Sequence, residues 1–172
     1  INKVDTADYE NVLYVRSEVR RMNPGAIILE AASPLFVDHP EIVRGKRVLV
    51  IEDGPTLTHG EMAYGAGVVA AERLGAAEMI DPRPFAAGSI RATFEKYPHM
   101  GNLLPAMGYG SGQMAELEAT INASGAEVVL SATPIDLRRI IKVTPPMERV
   151  RYELQVIGAP TLADLLKDKF GR

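Results

Sequence analysis

The chain of 172 residues contains no cysteine and no tryptophan. The absence of cysteine excludes a disulfide framework and thiolate metal sites. No apolar run approaches the roughly 20 residues that a membrane-spanning helix needs. An excess of positive charge is also absent, because the net charge is −3 at pH 7, and this argues against bulk binding to nucleic acid or to an anionic membrane. We therefore expect a cytoplasmic protein whose partners include neither nucleic acid nor a membrane.

A phosphate-binding loop of the form G-x-x-x-x-G-K-[ST] is also missing from the sequence. The chain opens on Ile1–Asp5, which looks like the end of a strand that runs into a loop. We therefore expect a C-terminal part of a longer protein, without its N-terminal portion, that is inactive alone because it lacks the loop that holds nucleotide phosphates.

Hydrophobic periodicity predicts strands that alternate with helices, which is typical of a three-layer α/β fold with a mainly parallel sheet. The predicted helices are Tyr9–Met22, Tyr64–Leu74, Ile90–Lys96, Gln113–Ala123 and Leu162–Phe170, the last capped by Thr161. The predicted strands are Ala26–Glu30, Arg47–Ile51, Glu78–Ile80, Val128–Ser131 and Val150–Val156. Residues 52–60 are expected to form a long polar turn, and residues 101–112 a flexible glycine-rich stretch.

The first residues, Asn2–Asp5, fit the N-K-x-D pattern of guanine-nucleotide proteins. A carboxylate such as that of Asp5 can accept two hydrogen bonds from guanine, from N1–H and the exocyclic amine. In P-loop GTPases a helix and a strand follow, and then a short loop whose backbone N–H meets the base; Ala31–Ser33 stands at that place. The alternative is a solvated turn after a strand. The predicted nucleotide-binding residues here are Asn2, Lys3, Asp5, Ala32 and Ser33.

The densest group of reactive side chains is Asp53–Gly60, directly after a predicted buried strand. It offers a carboxylate, two hydroxyls, an imidazole and flexible backbone. Such a segment can bind phosphate, and its carboxylate can bind Mg²⁺. The alternative is an ordinary hydrogen-bonded turn. We predict Asp53 as a Mg²⁺ ligand and Gly54 as a phosphate-binding residue, and predict catalytic roles for Asp53, Thr56, Thr58 and His59.

A second polar segment, Thr133–Arg139, also follows a predicted strand. In parallel sheets ligands lie beyond the carboxyl ends of the strands, so the two segments share one edge if their strands are parallel neighbours. We predict that Thr133 binds the nucleotide, and that Arg138 and Arg139 lie on a helix and neutralise phosphate charge. The alternative for each arginine is a solvated surface position.

The stretch Gly65–Ala70 matches the G-x-G-x-x-A fingerprint of dinucleotide-binding proteins. That fingerprint should follow its strand immediately, whereas thirteen residues separate Ile51 from Gly65. Close helix packing explains the glycines equally well, so a nicotinamide-binding oxidoreductase is the weakest of the alternatives.

Three segments carry a family resemblance: Val48–Gly67, Leu104–Tyr109 and Ser131–Leu137. They resemble the archaeal cyclic 2,3-diphosphoglycerate synthetases and their bacterial relatives, which are often labelled predicted GTPases. The similarity spans nearly the whole chain and corresponds to the C-terminal part of those proteins. It implies a ligase that uses ATP and Mg²⁺ to activate one phosphate of 2,3-diphosphoglycerate and close an intramolecular phosphoanhydride, releasing ADP and phosphate.

Together these observations predict a P-loop NTPase-like, nucleotide-dependent phosphoryl-transfer enzyme. Residues 1–45 are expected to end the nucleotide-binding domain, and residues 46–172 to carry the site for a small phosphorylated acid. ATP and GTP both stay open, since N-K-x-D favours guanine. The Met22–Pro24 junction resembles metallochaperone-type GTPases, which are the second alternative. The expected partners are the phosphorylated acid, the missing N-terminal part of the same protein and, as an open alternative, further copies of the chain.

Overall fold

The computed structural model describes residues 1–171 and divides into two compact units. The first unit is discontinuous in sequence, since it combines Ile1–Leu35 with the chain from Tyr152 onward. The second unit is Phe36–Arg151. The predicted domain boundary after residue 45 concerns roles within a longer protein and stays a prediction.

The first unit contains helix α1, Tyr9–Met22, at the predicted position. The side chain of Asp8 caps it by accepting a hydrogen bond from the backbone N–H of Glu10 at 2.8 Å. Val12 is the residue of this helix that is buried. The period of apolar residues therefore located the helix correctly, together with its cap.

Strand β1, Glu30–Ala32, begins at the residue where the predicted strand was to end. It pairs antiparallel with a strand near the other end of the chain, Gln155–Ile157 (β8 in chain order). The first residue also bonds to this part of the chain: Ile1 donates to the carbonyl of Leu29 at 2.6 Å and accepts from the N–H of Ala31 at 2.8 Å. The prediction of a strand over residues 26–30 was thus wrong by several residues, because backbone pairing partners rather than the apolar run set its limits.

The first unit also holds helix α6, Leu162–Phe170, at its predicted position. Thr161 and Asp164 form a reciprocal capping box at its start, in which each side chain bonds to the other residue's backbone N–H. The predicted cap at Thr161 is therefore confirmed.

The second unit is built on a six-stranded sheet. Two of its strands lie where the unit's sequence begins and ends, namely β2, Leu35–Val37, and β7, Met147–Tyr152. The strands of its interior are β3 Arg47–Asp53, β4 Glu78–Met79, β5 Leu104–Ala106 and β6 Val128–Ala132. The order is β2-β7-β6-β3-β4, with β5 also paired to β3. The pairs of β3 with β4, β5 and β6, and of β6 with β7, are all parallel.

Four helices accompany this sheet: α2 Gly54–His59, α3 Ala66–Arg73, α4 Ser89–Lys96 and α5 Ser111–Ala123. They lie on both sides of the sheet. The central strand β3 is fully buried over Val48–Ile51, as expected for a strand covered on both faces. The prediction of an α/β fold with a mainly parallel sheet is confirmed, while its P-loop character and missing N-terminal portion stay predictions.

Two predicted irregular segments are regular in the structure. Residues 52–60 are not a long turn, because β3 continues to Asp53 and α2 starts at Gly54. Pro55 lies in the first turn of that helix, where its missing N–H has no intrahelical partner to lose. Residues 101–112 include β5, whose three residues are all buried.

Two smaller predictions are also corrected. The predicted edge strand Val150–Val156 is split into β7 and β8, which belong to different sheets. The predicted helix with Arg138 and Arg139 is a single 3₁₀ turn, Leu137–Arg139. No helix within residues 1–171 is both long enough and apolar enough to span a membrane.

Candidate functional site

The predicted base-recognition residues of the first unit form a hydrogen-bonded cluster around Ser33. The carboxylate of Asp5 accepts from the N–H of Ser33 at 3.0 Å, through Oδ1. The amide oxygen of Asn2 accepts from the Ser33 hydroxyl at 3.0 Å and from the N–H of Lys3 at 2.8 Å. Lys3 adopts a φ of 62°, in the left-handed region that most side chains avoid. The fold therefore brings these four residues together, and their mutual hydrogen bonds explain the contacts without a nucleotide.

The exposed side of this cluster is where a base could be recognised. Asn2, Lys3 and Asp5 are all exposed. Within residues 1–171, the second carboxylate oxygen of Asp5 accepts no hydrogen bond, so it is available to N–H donors of a ligand. Ala32 is half-buried beside Ser33 in β1. The arrangement fits a planar base with adjacent N–H groups, and these residues' role in nucleotide binding stays a prediction.

In the second unit, the carboxyl ends of β3, β5 and β6 lie at one edge of the sheet. Register pairs place Asp53 beside Ala106 and Glu52 beside Ala132. The ends of parallel strands are where ligands bind in such folds. The predicted segments Asp53–Gly60 and Thr133–Arg139 therefore both begin at this edge.

Asp53 lies at the junction of β3 and α2 and accepts a hydrogen bond from the hydroxyl of Thr56 at 2.7 Å. Partial burial raises the pKa of Tyr109, and the negative charge of Asp53 adds to this rise. Gly54 allows a close approach here, since a Cβ at that position would collide with Sδ of Met107. Asp53 and Thr56 are thus hydrogen-bonded to each other at the end of the sheet, and the charge of Asp53 acts on the Tyr109 hydroxyl.

The remaining predicted residues of α2 point in different directions. Thr58 is buried, and its hydroxyl donates to the carbonyl of Pro55 at 3.3 Å. Thr56 and His59 are exposed. A short helix, rather than a loop, therefore presents the hydroxyl and the imidazole to solvent and turns Thr58 inward.

The predicted segment after β6 is held by its own side chains. The buried hydroxyl of Thr133 donates to the carbonyl of Ile135 at 2.8 Å and lies 3.0 Å from the Ser131 hydroxyl. Asp136 accepts two bonds from the guanidinium of Arg138, at 2.8 and 2.9 Å, and this interaction lowers the pKa of Asp136. Arg139 is exposed. Much of the charge of Arg138 is therefore balanced internally, which leaves Arg139 as the freer cation of the pair.

Glu52, the last buried residue of β3, was not among the residues predicted from the sequence. Its side chain is almost completely buried, with 4% of the residue exposed. Its Oε1 accepts hydrogen bonds from the backbone N–H groups of Gly67 at 2.8 Å and Val68 at 3.1 Å, at the start of α3. Burial raises the pKa of Glu52 to about 7; the bonds from α3 oppose this rise, and the charge of Asp53 adds to it. The sequence features that could have revealed this role are a glutamate at the end of an apolar run and the G-A-G sequence at residues 65–67.

The two glycines of that G-A-G sequence make room for Glu52. A Cβ on Gly65 would lie 2.5 Å from its Oε2, and a Cβ on Gly67 would lie 3.1 Å from its Oε1 and 2.6 Å from Val50 Cγ1. The N–H groups that a dinucleotide phosphate would use are bound to the Glu52 carboxylate. Close packing therefore accounts for the G-x-G-x-x-A match.

Two further arginines, Arg83 and Arg91, have structural partners. The guanidinium of Arg83 bonds to Asp81 at 2.9 Å and to the carbonyl of Met100, and lies 4.8 Å from the centre of the Phe94 ring. Arg91 donates to a backbone carbonyl at 3.2 Å. They line a shallow surface cavity of about 260 Å³. The use of their donors within the fold favours packing over phosphate binding.

A metal at the sheet edge would take one protein carboxylate from the predicted ligand, Asp53. Within the described residues, no group of three or more histidine, aspartate or glutamate side chains is arranged to hold a metal ion. Mg²⁺ commonly uses one or two carboxylates and completes its shell with water and substrate phosphates. Asp53 fits that mode of binding, and its role as a ligand stays a prediction.

No protein-family model matches the chain. The chain is 57% identical over 168 residues to a curated protein named arginine synthetase ArcE, from Thermococcus kodakarensis. The alignment covers 98% of the chain but 38% of that relative, so the chain spans well under half of the relative's length. The relative is named as a synthetase, but its name is not that of a cyclic 2,3-diphosphoglycerate synthetase.

Proposed function

We propose that this chain belongs to a synthetase that couples cleavage of a nucleoside triphosphate to formation of arginine or a closely similar guanidino compound. The observation that carries the proposal is the identity of 57% across 98% of the chain with a protein named arginine synthetase. The proposal keeps the predicted class of enzyme, a nucleotide-dependent ligase, and changes the preferred substrate from a phosphorylated glycerate to an amino acid.

The chemistry of such a product explains why phosphoryl transfer is needed. A ureido group has the carbon skeleton of a guanidinium but carries oxygen where the guanidinium carries nitrogen, and that oxygen is a poor leaving group. Transfer of the terminal phosphoryl group to the oxygen releases the nucleoside diphosphate. The lone pair of ammonia then attacks the carbon, the C–O bond breaks, and phosphate leaves. The catalyst's main tasks are orientation and charge stabilisation.

The edge of the second unit's sheet offers groups for these tasks. Asp53 would hold Mg²⁺ together with phosphate oxygens, and Gly54 and Thr133 would contribute contacts to phosphate groups. His59 is exposed on α2 and can donate to phosphate. The hydroxyl of Thr56 donates to Asp53 and would hold that carboxylate in place. Arg139 would neutralise charge, with Arg138 assisting beside Asp136.

In the first unit, the cluster of Asn2, Asp5 and Ser33 would recognise the nucleotide base. One carboxylate oxygen of Asp5 is bonded to Ser33, and the other is available to a ligand. A carboxylate in this position suits a base with adjacent N–H donors, such as guanine, and therefore favours GTP. The resemblance to cyclic diphosphoglycerate synthetases favours ATP. Both nucleotides therefore belong in the first assay, and the protein's N-terminal portion would supply the phosphate loop.

The second candidate is closure of a cyclic phosphoanhydride on 2,3-diphosphoglycerate. The resemblance of Val48–Gly67 and Ser131–Leu137 to those synthetases favours it. Its chemistry also begins by phosphoryl transfer at the same edge, so the two candidates differ in the acceptor. A metallochaperone-type GTPase ranks third, because the sequence has no cysteine and three histidines.

The full-length protein would be incubated with Mg²⁺ and either ATP or GTP, in three parallel reactions. One contains citrulline and ammonium, one contains 2,3-diphosphoglycerate, and one contains neither. We expect arginine, detected by mass spectrometry, and an equal amount of nucleoside diphosphate in the first reaction. Product in the second reaction alone would replace the proposal with the second candidate, and equal hydrolysis in all three would favour the GTPase.

Two variants would test the assigned sites. Asp53→Asn is expected to lower kcat by about 100-fold, the order of magnitude for loss of an electrostatic group in an active site. Asp5→Asn is expected to raise the KM for the nucleotide and leave kcat nearly unchanged, because it removes binding that ground state and transition state share. Glu95→Gln, an exposed carboxylate on α4, is the control.

A further inference from the structure

Glu52 is attached to both ends of the segment that carries the predicted catalytic residues. Asp53 follows it in sequence, and the segment 53–65 leads through α2 to the start of α3. There the carboxylate accepts from the N–H groups of Gly67 and Val68. One side chain therefore ties the end of this segment back to the strand from which it leaves.

The segment has further bonds near its middle, and Glu52 supplies the hydrogen bonds that join its end to the edge of the sheet. Met62 donates to the carbonyl of Leu57 at 3.1 Å, and the N–H of Gly101 donates to the carbonyl of Ala63 at 2.8 Å. These bonds shape the middle of the segment. The space beside Gly65 and Gly67 is filled by the Glu52 carboxylate itself, so a shorter side chain would leave a gap there and remove the acceptor for the N–H groups of Gly67 and Val68.

We propose that Glu52 is a positioning residue, whose bonds to the start of α3 keep segment 53–65 closed and hold Asp53, Thr56 and His59 in place at the sheet edge. The inference rests on the proposed function only for the reaction that these residues serve. Glu52 itself is buried between the strand and the helix and is not assigned contact with substrate.

Glu52→Ala removes the acceptor and is expected to lower kcat by about 100-fold with little change in KM, since misplacement of catalytic groups by about 1 Å has effects of that order. Glu52→Gln keeps an oxygen that can accept from the same N–H groups and should restore kcat to within about tenfold of wild type. If Glu52 served stability alone, Glu52→Ala would lower the yield of folded protein and leave kcat per folded molecule unchanged.

The matched control is Glu116→Ala. Glu116 also accepts from the start of a helix, through the N–H of Ser89 at 3.0 Å, but it lies on α5 and has no bond to segment 53–65 within the part of the chain that the structure describes. We expect its kcat to stay at the wild-type value. A decrease equal to that of Glu52→Ala would show a general effect of losing a helix cap and would overturn the proposal.

Hydrogen exchange measured by mass spectrometry gives a result that does not depend on turnover. In the full-length protein, Glu52→Ala should increase exchange over residues 54–68 by at least about tenfold, while Glu52→Gln and Glu116→Ala should not. Unchanged exchange in Glu52→Ala would overturn the inference. Should Glu52→Ala fail to fold, Glu52→Asp, which retracts the carboxylate by one methylene, is judged by the same criteria.

These measurements separate this inference from the proposed function. If the wild-type protein makes no arginine, the proposed function fails, and exchange over residues 54–68 still decides whether Glu52 closes the segment. If arginine is made and Glu52→Ala turns over at the wild-type rate, the inference fails and the proposed function stands.

Discussion

Two carboxylates in the second unit bond to the start of a helix, and they do so in different surroundings. Glu52 reaches from the end of a central strand to α3 and is almost fully buried. Glu116 reaches from α5 to α4 and accepts from both the N–H and the hydroxyl of Ser89 at a partly exposed position. Each lies against a glycine, Gly65 or Gly88, where a Cβ would collide with the carboxylate. Loss of the same interaction should therefore change stability by different amounts at the two sites. Water competes for the hydrogen bonds at Glu116 and is excluded from Glu52.

The largest expected difference is in the pH dependence of stability for Glu52→Gln. Burial raises the pKa of Glu52 from 4.5 to about 7. The folded state therefore holds this proton more tightly than the unfolded state, and the associated stability is present below pH 4.5 and lost as pH rises through about 7. Relative to Glu52→Gln, the wild-type protein should lose about 3 kcal/mol of unfolding free energy across this range, at about 1.36 kcal/mol per pKa unit.

Urea unfolding followed by far-UV circular dichroism, in a buffer with a chelator, would measure this difference from about pH 4 to about pH 9, a range that brackets both pKa values. A constant difference between the two proteins over the whole range would contradict the role of burial at Glu52.

The next effect concerns the room left by the glycines. Gly67→Ala would place a methyl group 2.6 Å from Val50 Cγ1, at a buried position beside the Glu52 carboxylate. We expect a loss of about 2 kcal/mol of unfolding free energy from overpacking. Gly112→Ala is the control, because that glycine lies in α5, where an added methyl group would meet nothing within 4 Å, and it should be neutral or slightly stabilising. Equal effects of the two changes would mean that the space at Gly67 is not needed.

At the exposed member of the comparison, Glu116→Ala should lower the unfolding free energy by about 1 kcal/mol, the usual effect of losing a helix cap. The change removes the acceptor for the N–H of Ser89, which water can then reach. Urea unfolding near neutral pH would measure it. A loss as large as about 3 kcal/mol, the size expected for breaking a buried charged interaction, would indicate that Glu116 is as dependent on burial as Glu52.

The smallest effect is expected at a third carboxylate, Glu148, which is buried and bonds to a histidine instead of a helix. Nδ1 of His39 lies 2.9 Å from Glu148, and this bond raises the pKa of His39, with smaller contributions from Glu41 and Asp38. The pair's contribution should be present below pH 6.5 and disappear as pH rises through the raised pKa. Because His39 is exposed, the difference between His39→Gln and wild type should be small. NMR titration of the imidazole would check its direction, and a lowered pKa would contradict it.

The sequence was sufficient for elements whose own side chains determine them. Helix α1 follows from its apolar period and the cap at Asp8, and the centre of β3 follows from a run of apolar, mostly β-branched residues. The short strand β5 was missed because its three residues stand between glycine-rich segments and owe their conformation to pairing with β3. Likewise, β1 begins at Glu30 because its partner is β8, and no local pattern reveals a partner so distant in sequence.

The candidate site was predicted in part for the same reason. Asn2, Asp5 and Ser33 belong to a pattern of known spacing, and the structure places them in one hydrogen-bonded cluster. Glu52 escaped notice because its role depends on where α3 returns to the sheet. From the sequence alone, a charged residue at the end of an apolar strand indicates the start of a turn. Only the position of α3 shows that Glu52 is covered by a helix.

The discontinuous first unit has a consequence for synthesis on the ribosome. Strand β1 leaves the ribosome ahead of the second unit, but its partner β8 leaves only after the whole of Phe36–Arg151 has been translated. The second unit is contiguous and can fold as soon as it has emerged, whereas β1 must wait with an unpaired edge. A stop codon after Arg151 would leave the second unit's chain whole but would remove the partner of β1. During synthesis, the first unit is therefore the part of the chain that most needs protection from aggregation.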